Sequence, residues 1–185
     1  MTRYLLPSIR LWLLTLLVCV VGYTALVLLF AQTAAPFRAN ASIVEVDGRA
    51  VGSELIAQDF TSPRYIWPRP SAAGYDGTAA AGSNLSPTSP ELAARAAETV
   101  ARYGATAAAP LPADLVAAGG SGLDPHITLE GALFQAERVA AARGLPAEEV
   151  RRLIAAEAHA PGGPFAPDPI VNVLRLNLAL DALPQ

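Results

Sequence analysis

Leu11 to Ala31 carries no charged side chain, and no other property of the sequence limits how the chain can fold as strongly. In a helix rising about 1.5 Å per residue, the run covers roughly 30 Å, the thickness of a bilayer's hydrocarbon core. A cleaved signal peptide is the competing reading, because Thr33-Ala34-Ala35 places small residues after the run. Signal-peptide apolar regions usually have only about 7–15 residues, so the greater length favours an uncleaved anchor. Arg3, Arg10 and the amino group precede the run, and Arg38 is the first positive charge after it. The positive-inside rule then puts the N-terminus in the cytoplasm. The expected organisation is residues 1–10 cytoplasmic, 11–31 a transmembrane helix, and 32–185 an extracytoplasmic domain.

Thr15, Cys19, Gly22 and Tyr23 share one face of that helix at α-helical spacing. Small and weakly polar residues on a face let a second transmembrane helix approach closely. A Leu- and Val-rich anchor also tolerates such residues anywhere, so both readings stand at this level.

With a net charge of −3 and no lysine, the chain has no basic surface for nucleic acid. Cys19 is the only cysteine and lies inside the apolar run, which excludes an intrachain disulfide. Cys19, His126 and His159 do not form a metal-ligand pattern.

Beyond the anchor, Ser42 to Val46 alternates and is β-branched, Asp47-Gly48 offers a tight turn, and Val51 onward pairs back as a hairpin. Ser62 to Pro90 is dense in Pro and Gly, which prevents long regular elements. Tyr65, Trp67 and Arg69 in this loop are candidate partner contacts, being of the residue types enriched at interfaces. Equally, the same aromatics can pin the loop to its own domain.

A helix is expected from Pro90 to about Tyr103, stopped by Gly104, with Leu92, Ala96, Thr99 and Val100 facing inward. Thr128 is placed to N-cap a central helix whose apolar face is Leu129, Ala132, Leu133, Ala136, Val139 and Ala140, with Gly144 as its stop. Pro146 to about Ala158 reads as a third helix, supported by Glu148 and Arg152 four residues apart. Pro161 to Pro169 is a breaker-rich loop, and the alternation from Ile170 to Leu180 predicts a buried strand, with a helix as the alternative for its last turn. The fold class expected is a single N-terminal transmembrane helix plus a mixed α/β extracytoplasmic domain of about three helices and a few short strands.

The glycine-rich loop Gly119 to His126 invites two chemical readings. Ser121, Asp124 and His126 contain the residue types of a hydrolytic triad, yet polar groups this close along one loop rarely reach nucleophile–base–acid geometry. Ser121 also lacks the Gly-x-Ser-x-Gly setting. Asp124-Pro125 is read as a turn, with His126 satisfied by a nearby backbone carbonyl. The second reading is a phosphate cradle before a helix. The loop lacks a P-loop's Gly-Lys-Ser/Thr ending, and an extracytoplasmic location opposes direct ATP contact. If a nucleotide is held, Ser121, His126 and Gln135 are the places for it.

Several motifs occur in one order: Val51-Gly52-Ser53-Glu54-Leu55-Ile56-Ala57-Gln58, Arg69-Pro70-Ser71, Gly82-Ser83-Asn84-Leu85, and Ser121-Gly122-Leu123-Asp124-Pro125-His126-Ile127. Gln135 with Arg138-Val139-Ala140 follows, then Val171-Asn172-Val173-Leu174 and Leu176-Asn177-Leu178. In this respect the chain resembles the C subunit of the Kdp-type potassium-transporting P-type ATPases of bacteria, over nearly its whole length. Two departures are Ala57, where the family usually has Gly, and Pro167-Asp168-Pro169-Ile170, where many members have Gly and Arg.

The resemblance implies a non-catalytic accessory subunit, single-pass in the bacterial cytoplasmic membrane. It implies assembly with a pore-forming potassium-binding subunit, a catalytic P-type ATPase subunit and a small single-helix subunit. It implies no cofactor of its own, with ATP met through the complex, whose catalytic subunit would gain ATP affinity. The alternative is a stand-alone membrane-anchored enzyme or ligand-binding module using the Ser121–His126 loop.

Overall fold

A computed structural model describes residues 2–163 and 168–184. The chain separates into two compact units, with the change at Ile43 and Val44.

The first unit is a continuous helix, Leu5–Ala34, long and apolar enough to cross a membrane, with a mean hydropathy of 2.6 in its most apolar window. It comprises α1 (Leu5–Thr15), a π-helical stretch (Leu16–Gly22) and α2 (Tyr23–Ala34). None of its residues is buried within the chain, as a helix built to contact lipid or another protein requires. The π stretch turns more slowly per residue than an α-helix and so shifts the faces drawn at α spacing. An apolar hollow on this helix is lined by Leu17, Val18, Val21, Gly22, Tyr23 and Leu26. Gly22 and Tyr23, two of the four residues expected on one face, belong to it.

Ala35 breaks the helix at φ −149°, and Pro36 begins the short α3 (Pro36–Ala39). The Asn40 and Gln32 carboxamides bond each other in both directions at 3.2 and 3.3 Å, tying this elbow back to α2.

The second unit opens with the expected hairpin, β1 (Ile43–Val46) and β2 (Arg49–Ser53). Its turn residues Asp47 and Gly48 have φ of 51° and 73°, the left-handed pair that matches the twist of a two-residue hairpin. A long irregular loop leads to α4 (Pro90–Tyr103), ended by Gly104 at φ 66°. The short α5 (Ala113–Val116) buries Leu115.

Strand β3 (His126–Thr128) pairs antiparallel with β4 (Ile170–Asn172), in the register His126–Asn172, Ile127–Val171 and Thr128–Ile170. Between them come α6 (Leu129–Phe134), α7 (Ala136–Arg143) and α8 (Ala147–Glu157), and α9 (Val173–Asp181) follows β4. The core joins the buried alanines and Val139 of α6–α7 to Val150 and Ile154 of α8 and Leu176 and Leu180 of α9. The alanines Ala132, Ala136 and Ala140 keep the contact surfaces shallow, so neighbouring elements approach closely.

Thr128 caps α6 as expected, its Oγ1 accepting the Gly131 N–H at 2.9 Å, and Gly144 stops α7 at φ 70°. Four expectations are corrected. The central helix is broken at Gln135 into α6 and α7. Val100 is exposed, and the half-buried Tyr103 carries α4 onto the domain instead. Glu148 pairs with Arg151 at 3.5 Å, not with Arg152.

The stretch Ile170 to Leu180 is strand only as far as Asn172, whose Oδ1 accepts the Arg175 N–H and N-caps α9. The buried residues Val173, Leu176, Asn177 and Leu180 follow i, i+3, i+4, i+7, a helical period that the alternating leucines mask in the sequence. Of the breaker-rich loop, Pro164 to Pro167 lie outside the described residues.

Leu176 is fully buried at the centre of this core. Leu176→Ala is expected to lower the unfolding free energy by about 2–5 kcal/mol, measured by chemical denaturation in mild detergent.

Candidate functional site

No helix or strand lies between β2 and α4, yet Ala57, Ile66, Trp67 and Pro68 are buried there. A buried backbone outside a sheet must find its hydrogen-bond partners elsewhere. Here side chains supply them. Asn177 of α9 accepts the Ile66 N–H at 2.8 Å and donates to the Ile66 carbonyl at 3.0 Å. Gln135, between α6 and α7, does the same for Trp67, at 2.8 and 3.1 Å. Each carboxamide thus imitates the neighbouring peptide that a strand would have provided.

Arginines continue the lacing: Arg138 donates to the Pro63 and Tyr65 carbonyls at 2.7 and 3.1 Å, and Arg143 to the Arg64 carbonyl at 2.7 Å. Asn172 holds the Glu54 carbonyl at 2.8 Å.

The glycine-rich loop closes the other side. Its Leu123 carbonyl accepts the Ala57 N–H at 2.9 Å, its Ser121 carbonyl the Ala81 N–H at 2.9 Å, and its Gly122 carbonyl the Ser71 hydroxyl at 2.6 Å. The contacts are close enough to demand glycine. A Cβ on Gly82 would sit 2.8 Å from the Gly120 carbonyl oxygen, and one on Gly122, at φ 68°, would sit 2.7 Å from that of Ala81. On Gly52 a Cβ would land on the Gln58 carboxamide, whose Nε2 donates to the Val51 carbonyl at 2.9 Å. The sequence motifs therefore meet in space, and Ser71, Gln135, Arg138, Asn172 and Asn177 are spent on backbone.

The individual candidates follow from this. Trp67 is only 8% exposed, with Arg138 over its ring at 3.7 Å, Arg102 at 4.3 Å, and its Nε1 donating to the Ser62 carbonyl. Tyr65 donates its hydroxyl to Asp181 Oδ2 at 3.0 Å, and Arg69 faces Asp124 at 3.7 Å. These three side chains pin the loop to its own domain. Burial pushes the Tyr75 hydroxyl up to about 12, and it donates to the Arg69 carbonyl at 2.8 Å.

Gln135 is 1% exposed, and its carboxamide is engaged by the Trp67 peptide groups. Ser121 Oγ accepts the Leu123 N–H at 3.1 Å within its own turn. His126 is held by a carboxylate rather than the expected backbone carbonyl: its Nδ1 lies 3.1 Å from Asp124 Oδ1. That side-chain hydrogen bond, with the one Asp124 accepts from the His126 N–H, keeps the Asp124 carboxyl below its ordinary range. Among the described residues His126 has no hydrogen bond to Ser121, and no group of three His, Cys, Asp or Glu is placed to hold a metal.

Sequence reading missed Asn177, Arg138 and Arg143 as loop holders, and Asp114, whose Oδ2 accepts the Thr128 N–H at 2.8 Å. The one available signal was polar residues interrupting apolar faces.

Against this geometry the whole sequence was compared with known families. The profile described as "K+-transporting ATPase, c chain" matches residues 5–182. The chain belongs to the KdpC family. A "Potassium-transporting ATPase KdpC subunit" from Parvibaculum lavamentivorans is 58% identical over 177 residues, 95% of each chain. KdpC subunits from Nitratidesulfovibrio vulgaris (51% identical, 88% of this chain and 85% of the relative) and Sorangium cellulosum (47%, 98% of each) are also similar to it. KdpC membership is thus a property of the whole chain, helix and laced loop together.

Gln135→Ala is expected to leave the Trp67 N–H and carbonyl unpaired, costing about 1–3 kcal/mol for each group. A thermal or urea unfolding series on the full-length chain measures it. Asp124 gives a pH test: because its folded-state pKa is depressed, its stabilisation is complete above the ordinary carboxylate value and is lost as pH falls through the folded value. Asp124→Asn should flatten the acid limb of the stability profile below the ordinary carboxylate range, measured by urea unfolding across pH.

Proposed function

We propose that this protein is a non-catalytic accessory subunit of an ATP-driven potassium-uptake complex in the bacterial cytoplasmic membrane. The observation that carries the reading is the full-length similarity to proteins named as subunits of a potassium-transporting ATPase. The lacing supports the non-catalytic part, since the motif residues Gln135, Asn177 and Arg138 bind the chain's own backbone.

In this reading residues 11–31, within the helix Leu5–Ala34, are the membrane anchor, residues 1–10 are cytoplasmic and residues 32–185 extracytoplasmic. The helix packs beside the membrane helices of a pore-forming potassium-binding subunit, a catalytic P-type ATPase subunit and a small single-helix subunit. Its hollow around Gly22 suits a large apolar side chain from a neighbouring helix. The laced domain assembles and stabilises the complex on the outer side. It raises the catalytic subunit's ATP affinity through protein contact, with no cofactor of its own.

Affinity purification of the tagged chain from membranes grown at limiting potassium, in mild detergent, should recover a polytopic pore protein and a P-type ATPase. Loss of the chain should lower both recovery of the assembled complex and its apparent ATP affinity. Recovery of the chain alone would overturn the proposal.

A further inference from the structure

A groove of about 700 Å³ lies beside the first turn of α6. Pro110, Pro112, Leu129, Leu133 and Phe134 give it an apolar floor, and Glu130 and Asp168 stand among its lining residues. The polar backbone of that turn is already occupied. The Thr128 N–H goes to Asp114, the Leu129 N–H to the Pro169 carbonyl at 3.0 Å, and the Gly131 N–H to Thr128 Oγ1. These three amides are not available to cradle an anion, and three carboxylates (Asp114, Glu130 and Asp168) repel one.

Among the described residues five carboxylates of this domain pair with cations, Asp124 with Arg69, Asp181 with Arg143, Glu54 with Arg175, and Glu137 and Glu148 with Arg151, and the remainder do not. Glu130 and Asp168 have no such partner among the described residues, and both are exposed. An apolar floor with two unmatched carboxylates is complementary to a large apolar side chain next to a cation. The walls include Pro110, Pro112 and Pro169, whose fixed φ limits the ordering that binding would otherwise cost.

We infer that this groove is a docking site for a cationic-apolar segment of a partner protein chain, with Leu, Ile, Met or Phe on the Leu129–Leu133–Phe134 floor and an adjacent Arg or Lys between Glu130 and Asp168. The inference rests on the subunit reading and gives that reading a specific surface. Both carboxylates are exposed and bound to nothing described, so reversing them leaves the core intact.

The test uses the tagged full-length chain in native membranes. Glu130→Lys with Asp168→Lys should reduce recovery of the partner subunits about tenfold, a change of about 1.4 kcal/mol, with an unchanged thermal midpoint. A photo-crosslinking p-benzoylphenylalanine at position 133 should map to a partner-subunit peptide carrying Arg or Lys. Reversing that residue to Glu should restore recovery with the doubly reversed chain. Equal recovery by wild type and variant overturns the groove proposal alone. So does a crosslink to lipid, to a small molecule or to a peptide without a cation. Failure of the wild-type chain to recover any partner overturns the subunit reading, and the groove proposal falls with it.

Discussion

The pairing of Gln135 and Asn177 with the Ile66–Trp67 backbone is the interaction on which the second unit depends. Ile66 is fully buried, and its peptide groups have no strand or helix to complete them. Without partners, each buried peptide group would cost about 1–3 kcal/mol. A carboxamide is the side chain that carries both a donor and an acceptor in the spacing of a peptide, so one residue satisfies two groups. Gln135 sits at the α6–α7 break and Asn177 on the buried face of α9, so the loop is fixed to both sides of the core at once.

The arginines extend this logic with charge. Arg138 stacks on Trp67 and also donates to Gln135 Oε1 at 2.7 Å, the same oxygen that accepts the Trp67 N–H. Burial pulls the Arg138 pKa down to about 10, which still leaves the guanidinium charged at neutral pH. A buried cation is tolerated only where acceptors surround it, and the Pro63 and Tyr65 carbonyls supply them. Trp67, Gln135 and Arg138 therefore form one coupled unit, in which the energetic contribution of each depends on the other two.

Local features of the fold were legible because they are set by neighbours in sequence. The Asp47-Gly48 turn, the Thr128 cap and the Gly104 and Gly144 stops all follow from backbone preferences of one or two residues. The helix α9 was not legible, since Leu174, Leu176, Leu178 and Leu180 satisfy a period of two while the buried set obeys 3.6. The roles of Asn177, Gln135 and Arg143 were hidden for a different reason. Their partners are 111, 68 and 79 residues distant, and a polar residue in an apolar stretch does not announce which backbone it will bind. The motif order was readable, but its meaning was geometric: Gly82 and Gly122 are small because Gly120 and Ala81 pass against them.

That meaning bears on why such a domain can serve without a reactive site. An irregular loop the length of residues 54–89 loses roughly 1–2 kcal/mol per residue in conformational entropy when it is fixed. The lacing offsets this only for the part it touches, Glu54 to Gly82, and the stretch from Ser83 to Ser89 receives none of the long-range side-chain bonds that hold Ile66 and Trp67. Rigidity is thus concentrated where Gln135, Asn177 and the glycine-rich loop converge. A surface meant to meet another protein gains from such distribution, because the ordering cost is met during folding and not again during association. The unmatched carboxylates beside the α6 groove lie on a frame of that kind: Thr128 and Leu129 are fixed by Asp114 and Pro169 before any partner arrives.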